Sequence, residues 1–197
     1  MLPKSDFNIS QQFSNELMTG EKVIWAGKPT NPPLFINYDL FIIPFTFLWL
    51  SVPISILFSN SDESSTVALP IMIFPYIFMI MGLYLLVGRF IYKRWMQART
   101  RYALTDRRAM SLEPSIFGGE SLRTADLKQT NQISKKTMKS GRGSIAFGGR
   151  SGIIGIYANS GLDLFTLGAS AGIVEFYSIS DLDGVYRLAI ESKDSLR

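Results

Sequence analysis

Apolar and polar positions are distributed very unevenly along the chain. Two runs, Leu40–Phe58 and Val67–Gly88, hold 19 and 22 residues and contain no Asp, Glu, Lys or Arg. The polar positions between them are confined to Ser59–Thr66, which carries Asp62 and Glu63. A helix needs roughly 20 residues to cross a hydrocarbon core of about 30 Å, and a charge at the bilayer centre costs on the order of 3 kcal/mol. The pattern predicts a transmembrane helical hairpin over 39–88, with helices 40–58 and 67–88 and an external loop 59–66. Pro44 and Pro70 suit first turns, whereas Pro53 and Pro75 lie deep enough to kink a helix. Ser51 and Ser55 have the small-xxx-small spacing that allows close helix contact.

Residues 1–38 form an N-terminal segment. Ile9, Phe13 and Leu17 fall at i, i+4 and i+8 ahead of Gly20, a weak helical pattern that needs something larger to pack on. Alternation and β-branching then predict a short strand at about 21–26, ended by Gly27 and Pro29. Asn31-Pro32-Pro33 is a stiff, extended lead-in to the first membrane helix.

After the second run the period changes from helical to two. Arg99–Thr105 and Arg107–Leu112 flank a turn at Asp106, with Tyr102, Leu104, Ala109 and Leu112 as inward positions. Further strands are expected at Ser121–Leu127, Asn131–Met138, Ser144–Phe147, Ile153–Tyr157, Leu162–Leu167 and Ile173–Ile179. Gly141 and Gly143 mark a hairpin turn. The end of the chain, about 181–193, reads as a helix with Ser180 as N-cap, Asp183 at N3, and Val185, Leu188 and Ala189 on its apolar face. Residues 89–197 are therefore a mainly-β soluble domain of about seven strands closed by a C-terminal helix.

Charge sets the orientation. Residues 1–66 have a balance of −3 and residues 89–197 one of +7, with Arg89, Lys93, Arg94, Arg99 and Arg101 directly after the second run. Lys and Arg near membrane ends stay on the cytoplasmic side, so both termini are expected to be cytoplasmic. The N-terminus lacks the basic and apolar regions of a cleaved signal peptide, leaving the first membrane helix as the insertion signal. Phe90, Tyr92 and Trp95 interleave with the cations, and Arg89, Tyr92, Lys93, Arg94 and Trp95 are expected to anchor the helix at the membrane interface.

The chain has no Cys and no His, which removes disulfides, thiolate nucleophiles, histidine bases and the usual zinc sets. No EF-hand spacing is present. No carboxylate pair or activated nucleophile stands out, so no catalytic, metal or cofactor site is expected. Gly141-Arg142-Gly143-Ser144 lacks the spacing and strand-to-helix context of a nucleotide-binding loop.

Several segments carry a family resemblance. Gly20-Glu21-Lys22-Val23-Ile24-Trp25-Ala26-Gly27-Lys28-Pro29 resembles the opening signature of bacterial membrane proteins with a pleckstrin-homology-like (PH-like) domain. Tyr102-Ala103-Leu104-Thr105-Asp106-Arg107-Arg108-Ala109 is similar to their Y-x-L-T-x-x-R hairpin. Gly141–Gly148 and Ile179–Tyr186 are similar to later elements. The order of strand, two membrane helices and β domain agrees, so the resemblance spans 20–190. It implies a bent barrel of about seven strands capped by the C-terminal helix, in the bacterial inner membrane, with the strand before the membrane able to pair with the sheet after it. Assembly factors for photosynthetic membrane complexes have a similar opening, which makes assembly or scaffolding the implied role.

Lys135, Lys136, Lys139, Arg142 and Arg150 lie within sixteen residues free of acids. Beside an anionic leaflet each cation contributes about 1 kcal/mol. Strand alternation sends Lys135 and Lys139 to one face and Lys136 to the other. Lys135, Lys136, Lys139 and Arg142 are thus candidates for binding a lipid headgroup or a partner, or form a solvated hairpin. Few aromatic residues stand near them, which argues against nucleic acid. The expected function is a membrane-tethered, non-enzymatic binding or scaffold module that engages a membrane or cytoplasmic protein, with a homo-oligomer open. The alternative is an anionic-headgroup reader using 135–142.

Overall fold

The computed structural model describes residues 3–59, 69–115, 118–138, 142–148, 161–162 and 174–196, with side chains of 69–72 excluded. The chain divides into two compact units. One comprises Met1–Pro32, Trp95–Ala158 and Asp163–Arg197; the other comprises Pro33–Arg94 and Asn159–Leu162.

The second unit is the helical hairpin. Helix α2 spans Asp39–Ser59 and α3 spans Leu69–Leu83, followed by a π turn at Tyr84–Gly88 and α4 at Arg89–Arg99. The prolines at 44, 53 and 75 lie inside these helices. Two helical stretches, Asp39–Ser59 and Ile73–Arg99, are long and apolar enough to cross a membrane. The second continues well beyond the expected end at Gly88, because the apolar run stops there while helix-forming Arg, Lys, Met and Gln carry the backbone on. The close approach of α2 and α3 is made by Gly82, where a Cβ would run into the Leu50 side chain. Trp49 stacks on Phe78 with centroids 4.9 Å apart. Ser51 and Ser55 do not make this contact: both are exposed, and their hydroxyls donate to Leu48 and Val52 carbonyls of their own helix.

The first unit holds seven strands among the described residues, in two antiparallel sheets. Strands β1 (Val23–Gly27), β2 (Arg101–Thr105), β3 (Arg108–Pro114) and β4 (Glu120–Asp126) form one sheet in that order. Strands β5 (Ile133–Thr137), β6 (Gly143–Phe147) and β7 (Val174–Ile179) form the other. The two sheets do not form a closed barrel among the described residues. The strands expected at Ile153–Tyr157 and Leu162–Leu167 fall essentially outside the described residues. Strand β1 pairs directly with β2, Trp25 opposite Leu104 and Gly27 opposite Tyr102. The hairpin is therefore inserted between two neighbouring strands of one sheet.

Both faces of the four-stranded sheet are covered, which is why Tyr102, Ala103, Leu104 and Thr105 are all buried in succession. On one side Trp25, Tyr102, Leu104 and Ala109 meet Phe147, Val174 and Phe176 of the second sheet. Phe176 is the hub, within 5.6 Å of the Trp25 ring, 5.0 Å of Tyr102 and 4.9 Å of Phe147. On the other side, Ile9 and Phe13 lie over Ala26, Ala103 and Met110, with Leu112 half-buried beside them. Leu112 thus packs on the opposite face from Tyr102, Leu104 and Ala109. The weak N-terminal pattern supplies this cover as α1 (Phe7–Gln12) and a 3-10 turn (Ser14–Glu16).

The C-terminal helix α5 spans Leu182–Ser195 and buries Leu182, Val185 and Ala189 in the core. Its N-cap is Asp181, whose carboxylate accepts from the Gly184 N–H at 3.2 Å, rather than Ser180. Asp183 is left outside the cap and turns to Lys135.

Candidate binding surfaces

The β5–β6 hairpin sets Lys135 opposite Ile145 and Lys136 opposite Ser144. Lys135 Nζ donates to Asp183 Oδ1 at 2.7 Å and lies 5.2 Å from the centre of the Tyr186 ring. This hydrogen bond and the Lys135 charge hold the Asp183 carboxyl below the usual carboxylate range. Lys136, on the other face, is exposed. Lys139 lies outside the described residues. Arg142 Nη1 donates to the Asn31 carbonyl at 2.6 Å. The four candidate cations are thus not gathered: one is matched to an acid of α5, and another grips the lead-in to the helical hairpin.

That lead-in is held at a second point. The Thr30 N–H donates to the Ser178 carbonyl at 2.8 Å, and Ser178 Oγ donates to the Thr30 carbonyl at 2.9 Å. Ser178 and Asn31 adopt φ values of 53° and 40°, which non-glycine residues rarely take. Ser178 sits in the part of β7 where the pairing with β6 shifts register between Gly143 and Ile145. The bulge turns the Ser178 carbonyl and hydroxyl toward Thr30. Chain entering the hairpin is therefore clamped to the sheet by backbone and side-chain bonds.

At the foot of the hairpin unit, Arg89 is completely buried. Its Nη1 meets Asp39 Oδ1 at 2.5 Å, its Nε donates to the Leu85 carbonyl at 2.6 Å, and its guanidinium lies 4.4 Å from the Phe90 ring centre. Asp39 Oδ2 accepts from the Ile36 N–H at 2.6 Å, fixing the first turn of α2. Lys93, also buried, donates to the Leu34 carbonyl at 2.9 Å. Arg89 and Lys93 thus face into the protein, whereas Arg94 is exposed and Tyr92 and Trp95 are half-buried. Tyr84, opening the π turn, donates its hydroxyl to the Gly161 carbonyl at 2.6 Å.

The residues that carry the family resemblance converge in the first unit. Glu21 accepts from the Met18 N–H at 2.8 Å, from Thr105 Oγ1 at 2.7 Å, and from Arg108 Nε and Nη2 at 2.9 and 3.0 Å. Arg108 also reaches the Glu16 carbonyl. Lys22 and Asp106 exchange bonds, N–H to Oδ1 at 3.0 Å and N–H to carbonyl at 3.1 Å. Burial alone would raise the Glu21 pKa, but the bonds from Arg108, Met18 and Thr105 outweigh it and hold it below its ordinary value. The carboxylate and cation serve as a structural latch between the segment before β1 and the β2–β3 turn.

Asp39, Glu21 and Asn31 were not singled out as functional from the sequence. For Asp39 a signal existed, since an acid at the border of one uncharged run mirrors Arg89 at the border of the other. Among the described residues, no cluster of three or more Asp and Glu side chains could hold a metal ion. Comparison of the chain with protein-family models, with curated proteins and with solved structures gives no match.

Proposed function

We propose that this chain is a membrane-tethered binding or scaffold module, with a PH-like domain held at the cytoplasmic face of a bacterial inner membrane and no catalytic role. The observation that carries the reading is the β1–β2 pairing across the hairpin. An anchor attached through a flexible linker leaves a domain free to tumble; here the anchor leaves the sheet from one strand and returns into its neighbour. The clamps at Thr30–Ser178 and Asn31–Arg142 add to this restraint. Such a design favours presenting one surface at a fixed height and orientation, which is useful for organising other proteins. Headgroup reading by 135–142 has less support, since Lys135 is matched to Asp183 and Arg142 is engaged by Asn31.

The test is cross-linking in intact cells, followed by mild-detergent pull-down of the full chain and mass spectrometry. The scaffold reading expects a defined protein recovered with wild type and lost when the latch variant Arg108→Ala loosens the domain. Recovery of the same proteins with a variant lacking the soluble unit would overturn it.

A further inference from the structure

Within the helical-hairpin unit, an open cleft of 420 Å³ is lined by Leu34, Phe35, Ile43, Val87, Phe90 and Ile91 among others, and its wall is almost purely apolar. This volume falls in the range of small-molecule sites. Two of the wall residues are tied to buried cations. Phe90 stacks under the Arg89 guanidinium, and the Leu34 carbonyl takes the Lys93 ammonium. Arg89 Nη2 is buried and has no hydrogen-bond partner among the described residues, because Asp39 engages Nη1 and Leu85 engages Nε. A guanidinium is a fork of five donors that matches carboxylate and phosphate oxygens. A buried donor left unmet is costly, so the arrangement calls for an anionic acceptor beside an apolar trough.

We propose that this cleft binds one anionic phospholipid, an acyl chain lying against Phe35, Ile43, Val87 and Ile91 and the phosphate meeting Arg89 and Lys93. The charge argument selects the ligand. A zwitterionic lipid would set its own cation beside two protein cations, whereas an anionic one adds only negative charge. The cleft is separate from the 135–142 hairpin, and the proposal rests on the reading that α2 and the helix from α3 to α4 lie in a bilayer.

The full chain is expressed in its membrane, extracted in mild detergent and analysed by native mass spectrometry with lipid identification. Wild type is expected to retain anionic phospholipid in excess over its share of the bulk membrane. Val87→Trp and Ile91→Trp each fill the trough from an exposed wall position, leave Arg89, Asp39 and Lys93 in place, and should lower retention about tenfold. The far-ultraviolet circular dichroism of both variants should be unchanged. Retained lipid that mirrors the bulk composition, retained free fatty acid only, or equal retention by wild type and both folded variants would overturn the proposal. Carbonate extraction separates the two levels. A chain released by carbonate refutes the bilayer reading, and a chain that stays embedded yet carries no anionic phospholipid refutes the cleft.

Discussion

Replacing Glu21 with Ala removes the acceptor at the centre of the latch. The Glu21 side chain has no solvent exposure and Arg108 retains 15%, so the lost carboxylate strands an almost desolvated guanidinium together with the Met18 N–H and the Thr105 hydroxyl. Breaking a fully buried ion pair costs about 3–5 kcal/mol. Arg108 keeps its bond to the Glu16 carbonyl and some water, which lowers the expected cost to about 2–4 kcal/mol. Glu21→Gln keeps the shape and part of the bonding, and should cost about 1–2 kcal/mol. At about 4 °C per kcal/mol for a unit of this size, the Ala variant should melt roughly 8–16 °C below wild type. Trp25 is a suitable reporter, buried at the Phe176 hub, in a background with Trp49 and Trp95 changed to Phe.

The pH dependence follows from the lowered Glu21 pKa. Below the ordinary value of 4.5, an unfolded chain takes up a proton that the folded chain still refuses. The latch contribution is therefore complete above that value and fades as pH falls through the folded pKa. Wild type should lose stability over this acidic window, and Glu21→Gln should lose correspondingly less. A melting difference under 2 °C for Glu21→Ala, or identical acid profiles for wild type and Glu21→Gln, would refute the reasoning.

The other predictions concern the inserted anchor. A fragment of residues 95–197 lacks β1 and α1, exposing the β2 edge and the Ala103–Met110 face, and should aggregate; linking residues 3–30 to it should restore a soluble, cooperatively melting species by light scattering and fluorescence. Arg89→Leu leaves the Asp39 carboxylate buried without its cation and should destabilise the helical hairpin by about 3–5 kcal/mol, with Asp39→Asn added to it recovering part of the loss in thermal unfolding.

What could be read from the sequence was what is local. The two apolar runs announce their helices because uncharged length is a property of consecutive residues, and the Thr105–Arg108 turn because alternation breaks at Asp106. The helix past Gly88 was hidden, since the signal used was hydrophobicity, and that ends where Arg89 begins. The latch and the Asp39–Arg89 pair were hidden for another reason. Glu21 and Arg108 are 87 positions apart and Asp39 and Arg89 are 50 apart, and no spacing rule links charges across an inserted hairpin. The candidate cations at 135–142 looked like one patch because they are close in sequence. Strand alternation and two partners from elsewhere, Asp183 and Asn31, draw them apart. The N-cap shows the same limit at small scale: Ser180 and Asp181 both qualify by type, and the end of β7 decides between them.

The central claim is a soluble unit held at the cytoplasmic face by an inserted membrane hairpin, and substituted-cysteine labelling tests it most directly. The chain has no native Cys, so single introduced thiols report without background. With a membrane-impermeant maleimide, Glu63→Cys, in the segment between the two helices, should label in intact cells. Lys136→Cys, exposed on β5, should label only after the membrane is permeabilised. Labelling of Lys136→Cys in intact cells, or protection of both sites until permeabilisation, would contradict the account.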